Sequence, residues 1–384
     1  GKNFTCYTFE GDIFCSGLDE SGQLGYGLVG ISSLIPKEIY PNNYNFFWVT
    51  ASAGGHACGL TDSGRAYCWG NNQFGQAGAK SPAILPQIVN NVDPTTATGF
   101  NQLALAEQSS CGMVSVSSHL STHSIACWGS NAHGELGTGK SSRDLPQSAT
   151  PVQVVFKSKS LTSITSLAAT EYSYCATNVY ESVFCWGDNQ HGQIGIGKTS
   201  KSSDPYTSPQ LLPKIKLSLV RSSKGGHICG LNDSGQAYCW GENDYGQVGI
   251  GTNEANVAVP TRVDTTYTRN KNRVFVDITM GSKHTCALDA ESYVYCWGDN
   301  TYGQLGIESF GGTYSYPIKP VTILYDDGDF VHAVSLKAKR ISAGGDHTCF
   351  IDLNNKTWCT GRGQGGQLGL NNRYDQASPI MINP

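Results

Sequence analysis

Short runs of apolar and aromatic residues alternate with turn residues along the whole chain. Residues 56–70 show the pattern clearly, because "HACGL" and "AYCWG" flank the turn sequence "TDSG". Runs of this composition favour β-strands, and two of them around a short turn favour a hairpin. Gly64 stands where a three-residue hairpin loop requires a left-handed backbone, which glycine adopts without steric cost. The pattern therefore predicts antiparallel β-structure.

Two further extended segments accompany most of these hairpins. One precedes the hairpin, as in "FFWVTASAGGH", "LVRSSKGGH", "VFVDITMGSKH" and "RISAGGDH". The other follows it around a proline, as in "LPQIVNNV" from residue 85 and "SPQLLPKI" from residue 208. Each unit is thus predicted to contain about four strands.

The cysteines show that this unit is repeated. All 14 fall into pairs: Cys6 with Cys15, Cys58 with Cys68, Cys111 with Cys127, Cys175 with Cys185, Cys229 with Cys239, Cys286 with Cys296, and Cys349 with Cys359. Trp-Gly follows five of the pairs, and a segment such as "GQLG" or "GELG" follows all seven. The corresponding hairpins lie near residues 6–25, 58–78, 111–137, 175–195, 229–249, 286–306 and 349–369. Seven four-stranded antiparallel units predict an all-β, seven-bladed β-propeller that occupies residues 1–384 as one domain.

The repeated motif resembles that of a known family. Gly-x-x-His, an apolar strand, a turn, Tyr-x-Trp-Gly-x-Asn and Gly-Gln-Leu-Gly together resemble the regulator of chromosome condensation repeat. The resemblance covers essentially the whole chain and implies a seven-bladed propeller. It says little about function, because one fold hosts many functions. In this family the repeat serves nuclear exchange factors, ubiquitin ligases, plant receptor ectodomains and secreted bacterial inhibitors.

The two ends of the array depart from the repeat. The first unit has "FCSGL" where Trp-Gly would stand, and no glycine-histidine strand precedes Cys6. The seventh unit reads "WCTGRGQGGQLG" and is followed by "SPIMINP". We expect the first blade to lack one strand. We also expect the last residues to add a strand to the first sheet, so that N- and C-terminal strands close the ring.

The cysteine pairs are predicted to be structural disulfides, one in each blade. A hairpin centred on Ser63 places Cys58 directly opposite Cys68, within disulfide reach. Zinc sites usually place two cysteines two to four residues apart, and redox sites usually use Cys-x-x-Cys. Neither spacing occurs, and we expect no metal site and no cofactor.

Disulfides in this number indicate an oxidising compartment, so we expect an extracellular or cell-surface protein from the secretory pathway. Three N-glycosylation sequons agree with this expectation, at Asn3, Asn232 and Asn355. The formal net charge is -4 and only 15% of residues are charged, which gives no long-range attraction to nucleic acid. No apolar run is long enough to span a membrane.

The recurring polar residues are predicted to be structural, with no catalytic residue among them. His56, His227, His284 and His347 precede the first cysteine of their units, whereas Ser109 and Ser173 lie nearby in units three and four. His133 and His191 are expected to pack beside the Gly-Gln turn. Five residues that follow Trp-Gly are expected to hold turns: Asn71, Ser130, Asp188, Glu242 and Asp299. The chain is therefore expected not to be an enzyme.

Three insertions distinguish the units, at residues 138–161, 252–274 and 307–337. Loops on a rigid scaffold commonly carry binding residues, and Tyr and Arg are enriched at binding hot spots. The candidate partner-binding residues are Arg262, Arg269, Lys271, Arg273, Tyr314, Tyr316 and Tyr325. Tolerated surface insertion is the alternative interpretation.

The leading functional hypothesis is a non-enzymatic extracellular binding or scaffold module. Its partner would be a protein, a glycan or copies of itself, in the last case as a structural component. One alternative is guanine nucleotide exchange on a small GTPase, which predicts an intracellular protein with free thiols. Another is an extracellular enzyme inhibitor or hydrolase. The oxidation state of the cysteines distinguishes the first two hypotheses.

Overall fold

The computed structural model describes residues 1–39, 44–79, 83–89, 97–116, 123–201, 203–266, 268, 273–317, 321–326 and 331–382. The first two sheets contain β1 (Phe4–Phe9), β2 (Asp12–Gly17) and β3 (Ser33–Glu38), then β4 (Phe46–Ala51), β5 (His56–Thr61), β6 (Ala66–Gly70) and β7 (Ala83–Ile88). The third and fourth contain β8 (Ala97–Leu105), β9 (Ser109–Val116), β10 (His123–Ser130) and β11 (Gln147–Gln153), then β14 (Ile164–Ala169), β15 (Ser173–Asn178), β16 (Val183–Gly187) and β17 (Tyr206–Leu211). The fifth and sixth contain β18 (Leu219–Arg221), β19 (His227–Leu231), β20 (Ala237–Glu242) and β21 (Asn256–Arg262), then β22 (Phe275–Met280), β23 (His284–Asp289), β24 (Val294–Asp299) and β25 (Thr313–Tyr314). The seventh contains β28 (Ala338–Ala343), β29 (His347–Asp352), β30 (Thr357–Gly361) and β31 (Gln376–Ile382).

These sheets form the predicted all-β, seven-bladed propeller. Six sheets have four strands, the first has three, and neighbouring strands are antiparallel and consecutive in sequence. Two extra hairpins lie in the linkers between sheets, β12 (Val155–Phe156) with β13 (Lys159–Ser160) and β26 (Thr322–Asp326) with β27 (Val331–Ser335). Among the described residues there is no helix.

The topology gives the ring two faces. The turns of the cysteine-bearing hairpins and the linkers between sheets lie on one, which we call the hairpin face. The other carries the loops that precede and follow each cysteine-bearing hairpin, and we call it the loop face. Gly64 has the predicted left-handed backbone, with φ of 75°, in a turn on the hairpin face.

Each blade has one disulfide, as predicted, between the two strands of its cysteine-bearing hairpin. The two cysteines of every pair lie directly opposite each other in the strand register. The paired Cα atoms are 4.0–4.2 Å apart, and all seven predicted pairings are present. The bonds join Cys6 to Cys15, Cys58 to Cys68, Cys111 to Cys127, Cys175 to Cys185, Cys229 to Cys239, Cys286 to Cys296, and Cys349 to Cys359.

In the first and seventh blades, the second cysteine of the disulfide is more deeply buried than the first. Cys15 and Cys359 are completely buried, whereas their partners Cys6 and Cys349 are only half-buried. In the five blades between them, both cysteines are completely buried, so Cys68, Cys127, Cys185, Cys239 and Cys296 are as inaccessible as their partners. The disulfides of the first and seventh blades, whose sequences depart from the repeat, are therefore partly exposed.

The expected ring closure is wrong in one respect. The C-terminal strand β31 pairs with β30 in the seventh sheet, so it adds nothing to the first. The seventh unit uses this segment as its own fourth strand, and the first sheet keeps only three. The seam between these blades is closed by hydrogen bonds: Thr5 Oγ1 lies 2.8 Å from His347 Nε2, and the Asn371 amide donates to the Leu34 carbonyl at 3.0 Å.

The tryptophan that follows the second cysteine joins each of five blades to the preceding one. These five side chains, Trp69, Trp128, Trp186, Trp240 and Trp297, are fully buried. Each indole N–H donates to the backbone carbonyl of the Gln or Glu in the preceding blade's "GQLG"-type segment, at 2.8–3.0 Å. The repeated Trp-Gly and Gly-Gln motifs are therefore two halves of one contact between neighbouring blades.

Candidate binding surface

The recurring histidines also cross the seams, which fits their predicted structural role. His227 Nε2 lies 3.0 Å from Thr285 Oγ1, and His284 Nε2 lies 2.8 Å from Thr348 Oγ1. Each threonine hydroxyl donates its single hydrogen to a carbonyl of the histidine's own blade, that of Gln247 in the first case. The hydroxyl oxygen must therefore accept from Nε2–H, which leaves Nδ1 of both rings unprotonated and without a partner.

Four of the five residues that follow Trp-Gly hold turns, as expected. The fifth, Glu242, instead accepts the Gly226 amide of another loop at 3.3 Å. Asn71, Asp188 and Asp299 each accept, through the side chain, a backbone N–H two residues later, at 3.1–3.4 Å. Asn71 also donates from Nδ2 to the Gly54 carbonyl at 3.0 Å. These carboxyl and amide groups belong to separate blades, and each bonds to the loops of its own blade.

One carboxyl cluster on the loop face was not predicted. Glu107 accepts a 2.5 Å hydrogen bond from the Tyr172 hydroxyl, and the ring of Tyr172 lies 4.5 Å from that of His133. Burial, followed by the hydrogen bond and charge of Glu107, raises the pKa of Glu171 to about 7. The Glu171 carboxyl can therefore be protonated near neutral pH.

The sequence contained a signal for this cluster. Gly54-Gly55 and Gly225-Gly226 occupy the loop before the histidine in units two and five, whereas units three and four have Glu107-Gln108 and Glu171-Tyr172. The same two units lack the histidine. Departures from a repeat mark positions that the fold does not require, but nothing in the sequence shows that residues 64 positions apart meet.

Lys224 connects two blades that are not neighbours in the ring. It belongs to the loop before His227 in the fifth blade, and its ammonium donates to the Ala51 carbonyl of the second blade. Burial lowers the pKa of Lys224 to about 8. The adjoining loops are joined by backbone hydrogen bonds, such as that from the Lys224 amide to the Gly281 carbonyl at 3.2 Å. The middle of the loop face is thus fixed rather than open.

Glu135 stands where the other six units have glutamine. It is 1% exposed, and Oε2 accepts the His133 amide at 2.7 Å while Oε1 has no partner. Burial, with a further contribution from the charge of Asp188, raises the pKa of Glu135 to about 8. The side chain is therefore neutral in the folded protein at pH 7, as a glutamine would be.

Replacing Glu135 with glutamine is expected to stabilise the protein above pH 5. The pKa of an unfolded glutamate is about 4.3, so the folded state of the natural protein binds the extra proton and loses stability as pH rises towards 8. We expect Glu135→Gln to raise the free energy of unfolding at pH 7 by on the order of 2 kcal/mol and to reduce this pH dependence. Urea unfolding from pH 5 to 8 measures both effects. The exposed Glu254→Gln serves as the charge control, and an equal gain there would contradict the assignment.

The predicted partner-binding residues that the structure describes differ in exposure. Arg262 is exposed at the end of β21, whereas Tyr314 and Tyr316 are half-buried around β25. Arg269 and Lys271 lie outside the described residues, and of Tyr325 only the backbone is described, in β26.

Arg273 does not fit the predicted contact role. Its side chain is 7% exposed, forms an ion pair with Asp289 and lies over the ring of Tyr295, 4.2 Å from the centroid. This charge is used inside the sixth blade, because an arginine placed at the start of an inward-facing strand can reach an internal carboxylate. The Tyr and Arg composition of the insertion did not show whether its arginines are exposed for binding or buried in an ion pair.

The three sequons differ in accessibility. Asn355 is exposed at the turn between β29 and β30, with φ of 64°. Asn232 is half-buried, and its Nδ2 donates to Gln236 Oε1 at 3.0 Å. Asn3 is half-buried beside the seam between the first and seventh blades. Asn355 is thus the sequon whose amide is best placed for modification.

Neither a metal site nor a membrane helix emerges from the part of the chain that is described. No group of three His, Cys, Asp or Glu residues in it is arranged to hold an ion. Likewise, none of its elements is a helix of the length and apolarity that crossing a bilayer requires.

The ring of seven sheets, with a repeated tryptophan and carbonyl contact between blades, defines a repeat β-propeller. Residues 12–384 match the RCC1-like domain, and the chain belongs to this family. It is 26% identical to the ultraviolet-B receptor UVR8 of Arabidopsis thaliana over 100% of the chain and 80% of that protein. It is 28% identical to the human probable E3 ubiquitin-protein ligase HERC4 over 96% of the chain and 32% of that protein.

Solved structures show the same fold. Prp20p of Saccharomyces cerevisiae superimposes with a TM-score of 0.80 at 19% identity, covering 100% of the chain and 88% of that structure. Human WBSCR16 superimposes with a TM-score of 0.79 at 16% identity, covering 97% and 95%. At these identities the likeness concerns the fold alone.

The relatives overturn the expectation that the chain is not an enzyme. HERC4 and HERC2 are E3 ubiquitin-protein ligases, which is an enzymatic class. The chain spans 32% of human HERC4 and 7% of human HERC2. That expectation rested on the lack of a catalytic motif within the repeats, whereas HERC4 and HERC2 contain the matching region as part of a longer enzyme.

Proposed function

We propose that residues 1–384 form one domain, the binding propeller of a protein that works in an oxidising compartment outside the cytosol. The observation that supports this most directly is the disulfide in every blade. Each one joins strands that already pair by backbone hydrogen bonds, so the fold does not need the bond to set the register. Disulfides of this kind persist where the surroundings are oxidising and are rare in the cytosol.

Binding is the role that the scaffold favours. Buried tryptophans fix the blades to each other at five of the seven seams, while the loops and linkers differ from unit to unit. Such a rigid frame positions variable segments for contact with a partner. The same fold has been crystallised with a protein partner in yeast, where Kap60 is bound to RCC1 (Prp20). The partner proposed here is a protein or a glycan that contacts the irregular segments.

The proposal predicts that the native protein has no free thiol. Alkylation of the unfolded, unreduced protein followed by mass measurement should label no cysteine, and prior reduction should allow all 14 to be labelled. Reduction should also lower the melting temperature markedly, because each closed loop restricts the unfolded chain by roughly 3 kcal/mol. Fourteen thiols that react without reduction would overturn the proposal and favour an intracellular role such as nucleotide exchange.

A further inference from the structure

A groove of about 530 Å³ lies on the hairpin face, next to the fourth blade. One wall is the hairpin β12–β13, which belongs to the linker between the third and fourth sheets. The other is the turn at residues 178–182, which joins β15 to β16. This volume falls within the range of about 300–1,000 Å³ that is typical of small-molecule sites.

The groove is preformed. Its floor is apolar, with Leu161 buried and the ring of Phe156 packed edge-on against Phe184 at 5.2 Å. The Val179 amide donates to the Ser163 carbonyl at 2.9 Å and so joins the two walls. Lys216 donates to the Tyr180 carbonyl at 2.5 Å, which fixes the turn from the side of the fifth blade.

The turn of the β12–β13 hairpin has non-glycine residues at two positions whose backbone conformation glycine adopts with less strain. Lys157 and Ser158 form its two-residue turn with φ of 50° and 62°. This turn type needs positive φ at both positions and strongly favours Asn-Gly. Residues held in strained backbone conformations are concentrated at active sites and ligand-binding segments.

The polar groups of the groove suit an anionic ligand with many hydroxyls. Lys157 and Lys159 are both exposed and line the groove. The acidic residue of the opposite turn, Glu181, is not among the lining residues and interacts with Asp233 and Lys216. The ammonium of Lys157 lies 5.3 Å from the centre of the Phe156 ring, which holds it over the floor. Ser160 and Thr162 expose hydroxyls on the same side.

An aromatic ring stands at the opposite rim. Tyr180 is 72% exposed, although its backbone is fixed: the amide donates to Asn178 Oδ1 at 3.0 Å. A tyrosine side chain has only two rotatable bonds, so it supplies apolar contact area at little entropic cost. Sugar rings have apolar faces that pack on such a surface while their hydroxyls bond to serine, threonine and amide groups.

We propose that this groove binds a short acidic oligosaccharide, with Lys157 and Lys159 facing its sulfate or carboxylate groups and Tyr180 packing against a sugar ring. The inference deepens the binding role proposed above and rests on it, because acidic glycans of this kind are extracellular. An acidic peptide is the less favoured ligand. Its carboxylates would suit the lysines, but it would make less use of the exposed ring beside a row of hydroxyls.

The test is calorimetric titration of the disulfide-intact protein with a heparin hexasaccharide. Maltohexaose and a hexaglutamate peptide are titrated in parallel. We expect the sulfated sugar to bind, with at least tenfold weaker binding in the Lys157→Ala/Lys159→Ala double variant and in Tyr180→Ala. The matched control is Lys198→Ala/Lys201→Ala, which removes the same charge from exposed lysines in the loop at the other end of β16.

Each alternative outcome overturns the proposal in a distinct way. Equal weakening in both lysine pairs would show general charge attraction, and tighter binding of hexaglutamate would show a peptide site. Unchanged binding in Tyr180→Ala would remove the sugar contact, and absence of heparin binding would reject the site. None of these results alters the thiol count, so failure of the groove is distinguishable from failure of the proposed compartment.

Discussion

Lowering the pH from 7 to 5 is expected to destabilise the folded protein strongly through four buried histidines. Burial lowers the pKa of His56 and of His227 to about 3 and that of His284 to about 4, and it lowers the pKa of His347 as well. An unfolded histidine has a pKa of about 6.5, so the unfolded chain binds more protons in this range. The free energy of unfolding therefore falls as pH falls below 6.5.

The geometry explains why protonation is unfavourable. A second ring proton on His227 or His284 would lie on Nδ1, which has no acceptor. At pH 5 the cost is on the order of 2 kcal/mol for each histidine. The raised pKa values of Glu135 and Glu171 act in the opposite direction over the same range. Two such groups do not cancel four histidines.

Urea unfolding at pH 7, 6 and 5 measures this effect. The double variant His227→Gln/His284→Gln should be less stable at pH 7 but should lose roughly half as much stability on acidification. His191→Gln is the control, since His191 lies on the loop face and contacts Asn256 rather than a seam hydroxyl. Parallel pH profiles for the natural chain and the double variant would show that other groups cause acid unfolding.

Trp240→Ala is expected to cost about 3–5 kcal/mol, because it removes a fully buried indole and leaves a cavity. The seam between the fourth and fifth blades depends on its tryptophan more than other seams do. Ser173 and Ile228 occupy the positions that form the histidine and hydroxyl bond at other seams. Thermal and urea unfolding of the disulfide-intact variant would show the loss.

A comparison of phenylalanine variants separates the hydrogen bond from packing. Trp240→Phe leaves the Gln193 carbonyl without the indole donor and is expected to cost about 1–3 kcal/mol beyond the change in packing. Trp297→Phe should cost less, because Thr285 Oγ1 also donates to the Gln247 carbonyl at 2.8 Å. Equal losses in the two variants would contradict a role for the indole N–H.

Local patterns were sufficient to predict the blades. Side chains alternate along a strand, so equal spacing around a turn places Cys58 opposite Cys68 whatever surrounds them. The disulfides therefore followed from one sequence, as did the left-handed Gly64. The count of seven units predicted the ring for the same reason, because each unit repeats one local pattern.

Contacts between blades could not be predicted in this way. The sequence does not show that Lys224 reaches Ala51, that Glu107 meets Glu171, or that Arg273 points inward to Asp289, because these depend on how blades face each other. The closing strand was misassigned for a related reason. "SPIMINP" favours an edge strand, but both the first and the seventh sheet could accept one, and nothing local decides between them.

The pairing of β31 within its own sheet affects how the number of repeats can change during evolution. Where the two ends of a propeller chain contribute strands to one sheet, a repeat counted from the first residue contains strands of two sheets. In this chain the seventh sheet is complete, and it meets the first through hydrogen bonds across the seam rather than through a strand of β1–β31 that both sheets share. Duplication or deletion of a whole unit would leave every sheet intact, and only the curvature of the ring would have to adjust.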